Sequence, residues 1–220
     1  MFTGIIESVG EVTQISPQAD GARVTIAVNQ LDMSDVKLGD SIASNGVCLT
    51  VVAFDKKSFS ADISAETLSR TNWQHYNIGQ RINLEKAMLP TTRFGGHMVS
   101  GHVDTVAKIQ AIEHTGNSSQ YWIEMGADIA PFIAEKGSVT IDGVSLTVNS
   151  VESAQFRLTI VPHTAAETII SHYKTGDTVN LEIDVIARYT HRLLQFAGKD
   201  MPQQHNSITE ATLAKAGFIR

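Results

Sequence analysis

Residues Asn45–Val51 read NGVCLTV, and residues Asp142–Val148 read DGVSLTV. Five of the seven positions are identical, and the copies stand 97 residues apart. The same offset aligns the two halves without a gap. TGIIESVGEVTQI from Thr3 falls on SGHVDTVAKIQAI from Ser100, and SIASNGVCLTV from Ser41 falls on SVTIDGVSLTV from Ser138. HYNIGQRINLE from His75 falls on HYKTGDTVNLE from His172, with six identities in eleven. One offset held across three separate blocks marks an internal repeat. The chain therefore reads as two copies of one domain, residues 1–96 and 97–184, followed by a tail, 185–220.

Each copy is built of short apolar runs between turn-forming residues. In the first copy these are Gly4–Ile15, Arg23–Val28, Gly39–Val52, Ser58–Ile63 and Gln80–Lys86. Helical stretches are brief, Ala65–Thr71 and Thr164–Ser171. Regular short strands with short connections predict an all-β fold, sandwich or small barrel, in each half. The join, AMLPTTRFGG at Ala87–Gly96, carries Pro90 and the pair Gly95–Gly96, which break regular structure. In the tail, Ile186, Tyr189, Leu193 and Phe196 recur at helical spacing with Arg188, His191 and Arg192 opposite. Ser207 and Glu210 form an S-x-x-E capping box, and Gly217 stands where a helix C-cap belongs. This helical tail packs on the chain's own barrels or forms an oligomer contact.

The totals narrow the function. The 220 residues are 42% hydrophobic and 18% charged, which suits a soluble protein with a buried core. The net charge of −6, with no dense Lys/Arg run, disfavours nucleic acid and anionic membrane partners. No apolar run approaches the ~18 residues of a membrane span. MFTGIIESVGEV lacks the basic and apolar regions of a signal peptide. A single cysteine, Cys48, forms no internal disulfide and points to a reducing cytoplasm. Phosphate loops, dinucleotide fingerprints and the G-x-S-x-G elbow are all missing from the sequence.

Side chains alternate along a strand. In VCLTV, Val47, Leu49 and Val51 share an apolar face, and Cys48 and Thr50 share the other. In the second copy Val144, Leu146 and Val148 oppose Ser145, Thr147 and Asn149. A core face is retained while the opposite face carries thiol and hydroxyl groups, as a ligand-facing strand requires. Cys48 alone would read as a small buried hydrophobe; Ser145 in the matched position favours a polar setting. In GGHMVSGHVD, residues Ser100, His102 and Asp104 alternate onto one strand face. His97 and His102 are spaced wrongly for a zinc site, so no metal is expected. His102 is either a hydrogen-bonded structural residue or an acid/base group. Lys136 precedes the second repeated strand as a solvated lysine.

MFTGII, SNGVCLTV, GGHMVSGHVD and IDGVSLTVN, in this order and at this spacing, resemble the riboflavin synthase family of the α-chain type. The resemblance runs from Met1 to about Arg192. It implies two tandem six-stranded antiparallel β-barrels of Greek-key type with a C-terminal helix through which the subunits form a homotrimer. It implies dismutation of two molecules of 6,7-dimethyl-8-ribityllumazine, in a site between subunits, to riboflavin and 5-amino-6-ribitylamino-2,4(1H,3H)-pyrimidinedione. No cofactor is implied, and lumazine synthase is the implied functional partner.

Carried over by position, the first site comprises Gly4, Ile5 and Ile6, then Cys48, Leu49 and Thr50, then Asp62, Ile63, Ser64, Ala65, Glu66 and Thr67, with Phe2 and Ser41 near the chemistry. The second comprises Gly101, His102 and Val103, then Lys136, then Ser145, Leu146 and Thr147, then Thr159, Ile160, Val161, Pro162, His163 and Thr164, with Asp184 after the last strand. Glu66 in the first half corresponds to His163 in the second. Cys48, Ser41, Thr50, His102 and Phe2 are the candidate catalytic residues. A non-catalytic lumazine- or flavin-binding antenna protein, or a barrel used only for assembly, are the rival readings.

Overall fold

The computed structural model describes residues 1–197 and 210–218. Strands β1 (Ser8–Gln18), β2 (Gly21–Ala27), β3 (Ser41–Ser44), β4 (Val47–Phe54), β5 (Ser58–Ser64) and β6 (Arg81–Lys86) close into an antiparallel barrel in the order β1-β2-β5-β4-β3-β6. Strands β7 (Thr105–Thr115), β8 (Ser118–Glu124), β9 (Ser138–Ile141), β10 (Val144–Val151), β11 (Gln155–Ile160) and β12 (Thr178–Ile183) close a second barrel in the matching order β7-β8-β11-β10-β9-β12. In each, three hairpin-linked strands are joined by a fourth that returns beside the first, a Greek key. Closure leaves no free strand edge.

The alternation within the repeated stretch decides what fills each barrel. Val47, Leu49 and Val51 are buried with Ile26, Ile42, Phe59 and Leu84, and Val144, Leu146 and Val148 with Ile123, Val139, Phe156 and Leu181. Each such side chain contributes about 1.5–3 kcal/mol by leaving water. The other face of β4 and β10 remains half-buried or exposed, as the sequence pattern requires.

Two local expectations change. Gly39–Val52 is not one strand but the β3–β4 hairpin, turning at Asn45 (φ 47°) and Gly46 (φ 77°). Asp142 (φ 43°) and Gly143 (φ 81°) do the same between β9 and β10. Two successive left-handed residues are what a two-residue hairpin of right-handed twist demands, and Asn-Gly and Asp-Gly supply them. The two tips also abut: a β-carbon on Gly46 would lie 2.8 Å from Gly143 N. Nor does the first strand begin at Gly4; β1 starts at Ser8, because the residues before it leave for the other barrel.

Helix α1 (Ala65–Arg70) is capped by Ser64, whose hydroxyl accepts from Thr67 N at 3.1 Å. Helix α2 (Pro162–Glu167) opens on proline instead. Thr71 and Thr168 then restart the chain as 3-10 turns, Asn72–His75 and Ile169–His172, so the predicted Thr164–Ser171 helix is two pieces.

One repeat identity, Asn83 in the first half and Asn180 in the second, ties the halves together through its side chain. Asn83 Nδ2 donates to Asp142 O at 3.0 Å, and Asn180 Nδ2 donates to Asn45 O at 2.9 Å. Asn83 Oδ1 accepts from Ile169 N at 2.9 Å, and Asn180 Oδ1 accepts from Asn72 N at 2.8 Å. These four bonds form two pairs related by the same offset, the pattern of a local twofold axis between the barrels.

Residues Met1–Arg188 form one compact unit. In the tail, α3 (Val185–Ala197) carries the expected stripe, with Ile186, Tyr189, Leu193 and Phe196 all exposed. Arg192 lies over the Phe196 ring at 4.4 Å. Helix α4 (Glu210–Lys215) ends as predicted at Gly217 (φ 78°), where Gly217 N and Phe218 N return to Ala214 O and Leu213 O. Ser207 of the expected capping box lies outside the described residues.

Candidate functional site

The N-terminal segment and the start of the second half cross between the barrels. Phe2 and Val99 pair antiparallel, with Phe2 N donating to Val99 O at 2.8 Å and Val99 N to Phe2 O at 3.2 Å. Glu85 anchors one arm, accepting from Thr3 N and Thr3 Oγ1 at 2.7 Å and from Gly4 N at 2.9 Å. Glu182 anchors the other, accepting from Ser100 N at 2.6 Å, Ser100 Oγ at 2.7 Å and Gly101 N at 3.0 Å. Burial pushes both carboxyls above the usual range, against these donors. Glu85 and Glu182 were legible as repeat identities but were not singled out.

Each arm then docks on the opposite barrel. Ser145 N donates to Gly4 O at 2.8 Å, and Cys48 N donates to Gly101 O at 2.9 Å. Ile6 packs against the second core and Val103 against the first. Gly4 (φ 77°) and Gly101 (φ 81°) are obligatory here, since a β-carbon on either would lie 2.6 Å from the Cβ of Ser145 or Cys48.

The arms therefore dock on barrels opposite to the expected grouping. The segment Gly4, Ile5 and Ile6 lies on the barrel that carries Ser145, and the segment Gly101, His102 and Val103 on the barrel that carries Cys48. Each arm is held by a glutamate of its own half, and its glycine carbonyl pairs the N–H of Ser145 or Cys48 on the opposite barrel.

The Cys48 face thus carries a thiol and two hydroxyls, with His102 next in the chain to the Gly101 carbonyl that binds Cys48 N. Ser41 pairs with Thr50, and Ala43 with Cys48, across β3 and β4, putting Ser41, Cys48 and Thr50 on one side. Cys48 is half-buried beside Phe2, Ala43, Val99 and Ala87, while Thr50 and His102 are exposed. Phe2 is 0% exposed and supports this face from beneath. Ser100, His102 and Asp104 do not form the expected strand face. They lie on an irregular segment that bends at Gly101, where Ser100 is bound by Glu182, and Asp104 Oδ2 accepts from Ile183 N at 2.9 Å while Oδ1 pairs with Arg188. Asp62 is bound by Arg23 at 2.7 and 2.8 Å, which holds its carboxyl below the usual range. Ile63 points into the barrel, Ser64, Ala65 and Glu66 form the exposed start of α1, and Thr67 is half-buried behind them.

The Ser145 face differs. His97 Nδ1 lies 2.7 Å from Ser145 Oγ. Burial lowers the His97 pKa, opposed by the Asp184 carboxylate. Asp184 Oδ1 also accepts from Ile186 N at 2.8 Å, capping α3. Thr159 faces outward and Ile160 inward, and Val161, Pro162 and His163 are exposed. Thr164 is half-buried at the helix start. Lys136 is exposed on the turn before β9 with φ 65°, where its counterpart Gly39 has φ 90°. A lysine in a conformation that favours glycine is held there by tertiary context.

At the hairpin tips, Asp142 is buried, its Oδ1 accepting from Asn180 N at 2.9 Å and its Oδ2 from Tyr173 Oη. Desolvation pushes its pKa up to about 7. Asn45, the counterpart, makes the same contacts as a neutral amide, accepting from Asn83 N at 2.7 Å and donating to Tyr76 Oη at 2.8 Å.

Known proteins match this architecture. The model of the lumazine binding domain matches twice, at residues 3–87 and 100–184. Riboflavin synthase of Photobacterium phosphoreum is 52% identical over 220 residues, covering 100% of both chains. Riboflavin synthase of Bacillus subtilis is 41% identical over 218 residues, 99% of this chain and 100% of that one. The crystal structures of LumP with riboflavin and with 6,7-dimethyl-8-(1'-D-ribityl) lumazine share the fold at TM-scores of 0.77 and 0.74. Both are 23% identical and cover 83% of this chain and 99% of LumP. With both halves matched as lumazine binding domains and full-length identity of this order, the chain belongs to the riboflavin synthase family of transferase enzymes.

Proposed function

We propose that the protein converts two molecules of 6,7-dimethyl-8-ribityllumazine into riboflavin and 5-amino-6-ribitylamino-2,4(1H,3H)-pyrimidinedione, the closing step of riboflavin formation. A four-carbon unit passes from one lumazine to the other, and the atoms balance without an oxidant or reductant. Full-length identity to riboflavin synthases carries this reading. The two repeat-related faces support it, since two identical substrates need two binding surfaces and unlike roles need unlike residues.

On the Cys48 face, Cys48 or a water it orients adds to C7 of one lumazine, with Ser41 and Thr50 as orienting hydroxyls, His102 as proton shuttle and Phe2 as support. The other lumazine loses a proton from its 7-methyl group and attacks. Holding the two rings opposed supplies much of the rate through lost entropy. The apolar stripe of α3 supports a homotrimer in which the Cys48 face of one subunit meets the Ser145 face of the next, with Lys136 reaching the ligand. A lone cysteine, and the absence among the described residues of a helix long and apolar enough to cross a membrane, support work in the cytoplasm. Lumazine synthase is the functional partner on this reading.

The test is to incubate the pure protein with 6,7-dimethyl-8-ribityllumazine alone and quantify products by chromatography. One riboflavin for every two lumazines consumed is expected. Binding without riboflavin above the protein-free control would place the protein with LumP-like binders instead.

A further inference from the structure

The two faces carry different hydrogen-bonding groups at the same repeat position, and the difference assigns their roles. Cys48 is packed against Gly101 and Phe2. Ser145 instead has an imidazole at hydrogen-bond distance, His97 Nδ1 at 2.7 Å from its Oγ. His97 is 8% exposed, and its Nε2 is the buried side-chain nitrogen that lacks a partner among the described residues. A buried group left unpaired is costly, which fits a partner that arrives with the ligand.

We propose that His97 and Ser145 form a proton relay that takes the 7-methyl proton, so that the lumazine on the Ser145 face becomes the attacking nucleophile. Ser145 is the group in contact with the reacting methyl, and His97 acts through it. The methyl C–H bond breaks, and its electron pair forms the exocyclic C7 methylene while charge moves into the ring. The proton passes to Ser145 Oγ as the serine's own proton passes to Nδ1. Accepting at Nδ1 requires the tautomer with hydrogen on Nε2, which makes the unpartnered atom a donor to the ligand or its bound water. Burial keeps the ring neutral and ready to accept a proton at neutral pH, and the Asp184 carboxylate favours the imidazolium once formed. His102, by contrast, is exposed and rides on the arm that docks at Cys48.

This inference rests on the proposed reaction, and the experiment separates the two. Loss of the 7-methyl proton signal of 6,7-dimethyl-8-ribityllumazine is followed by NMR in D2O, with full-length protein and against the protein-free rate. The wild type is expected to accelerate exchange. His97→Gln is expected to lower the enzyme-driven rate on the order of 100-fold while lumazine still binds, read by fluorescence titration. A variant that binds and still exchanges at the wild-type rate would overturn the relay. Should His97→Gln fail to bind, Ser145→Ala decides: exchange reduced with binding kept supports the relay, and unchanged exchange overturns it. A wild type that makes no riboflavin defeats the proposed reaction itself, whereas riboflavin formation with His97-independent exchange defeats the relay alone.

Discussion

A β-carbon at position 101 would lie 2.6 Å from Cys48 Cβ and 2.9 Å from the Phe2 ring, at a φ of 81°. Gly101→Ala should therefore lose about 2–4 kcal/mol of stability and most activity, because arm, thiol and ring cannot all keep their places. Gly39 has φ 90° but nothing within 4 Å of its added β-carbon, so Gly39→Ala should cost only about 1 kcal/mol and spare activity. Melting curves and riboflavin assays on the pair separate crowding from backbone strain. Cys48→Ser should damage turnover far more than lumazine affinity; equal losses in a titration and a rate assay would remove its nucleophile role. Asp142 makes a pH prediction. Its carboxyl is raised from the usual 3.8 to about 7 by burial, so its ionisation opposes the fold increasingly as pH rises through that window. Asp142→Asn, which imitates Asn45, should stabilise the protein at pH 8 by about 1–3 kcal/mol and much less at pH 4. Denaturant titrations showing the same gain at both values would be the contrary result. The alternation that set Cys48 and Thr50 apart from Leu49 was legible in the residues. The His97–Ser145 contact was not, since it joins a loop to a strand 48 positions away.

At the scale of elements, the repeat offset predicted paired architecture, and hydrophobic alternation placed most strands. The misread boundaries share one cause. Asn45-Gly46 and Asp142-Gly143 are strong hairpin signals, but apolar runs on both sides made Gly39–Val52 look continuous. The segments before β1 and β7 look like strand because they are extended, yet the Gly4 and Gly101 carbonyls accept from the opposite barrel, which no local pattern encodes. Helix α3 was legible from its 3.6-residue period. Its stripe exposes 70% of Leu193 and 66% of Tyr189, an arrangement that calls for a covering surface. If α3 joins subunits in the proposed trimer, Leu193→Asp should favour monomer in analytical ultracentrifugation and reduce riboflavin formation in step. A variant that stays assembled and active would exclude α3 from the interface.

At the scale of the molecule, neither half is complete alone. The first half needs the Gly101 carbonyl for Cys48 N, Val103 for its core and the Asn180 amide for Asn45 O. Its own Gly4, Ile6 and Asn83 are the repeat equivalents of those groups. A fragment ending before His97 should therefore associate as a twofold dimer, each copy lending its arm to the other. Size-exclusion chromatography with lumazine titration checks this, and a monomer that binds normally would contradict it.

The crossed arms also have a historical consequence. In an ancestor made of two identical chains, any change at the Cys48 position would have altered both faces at once. Two copies in one chain can differ at that position while the crossed arms keep each barrel dependent on the other. One copy can then hold serine beside an imidazole and the other a thiol, with neither barrel built to stand alone.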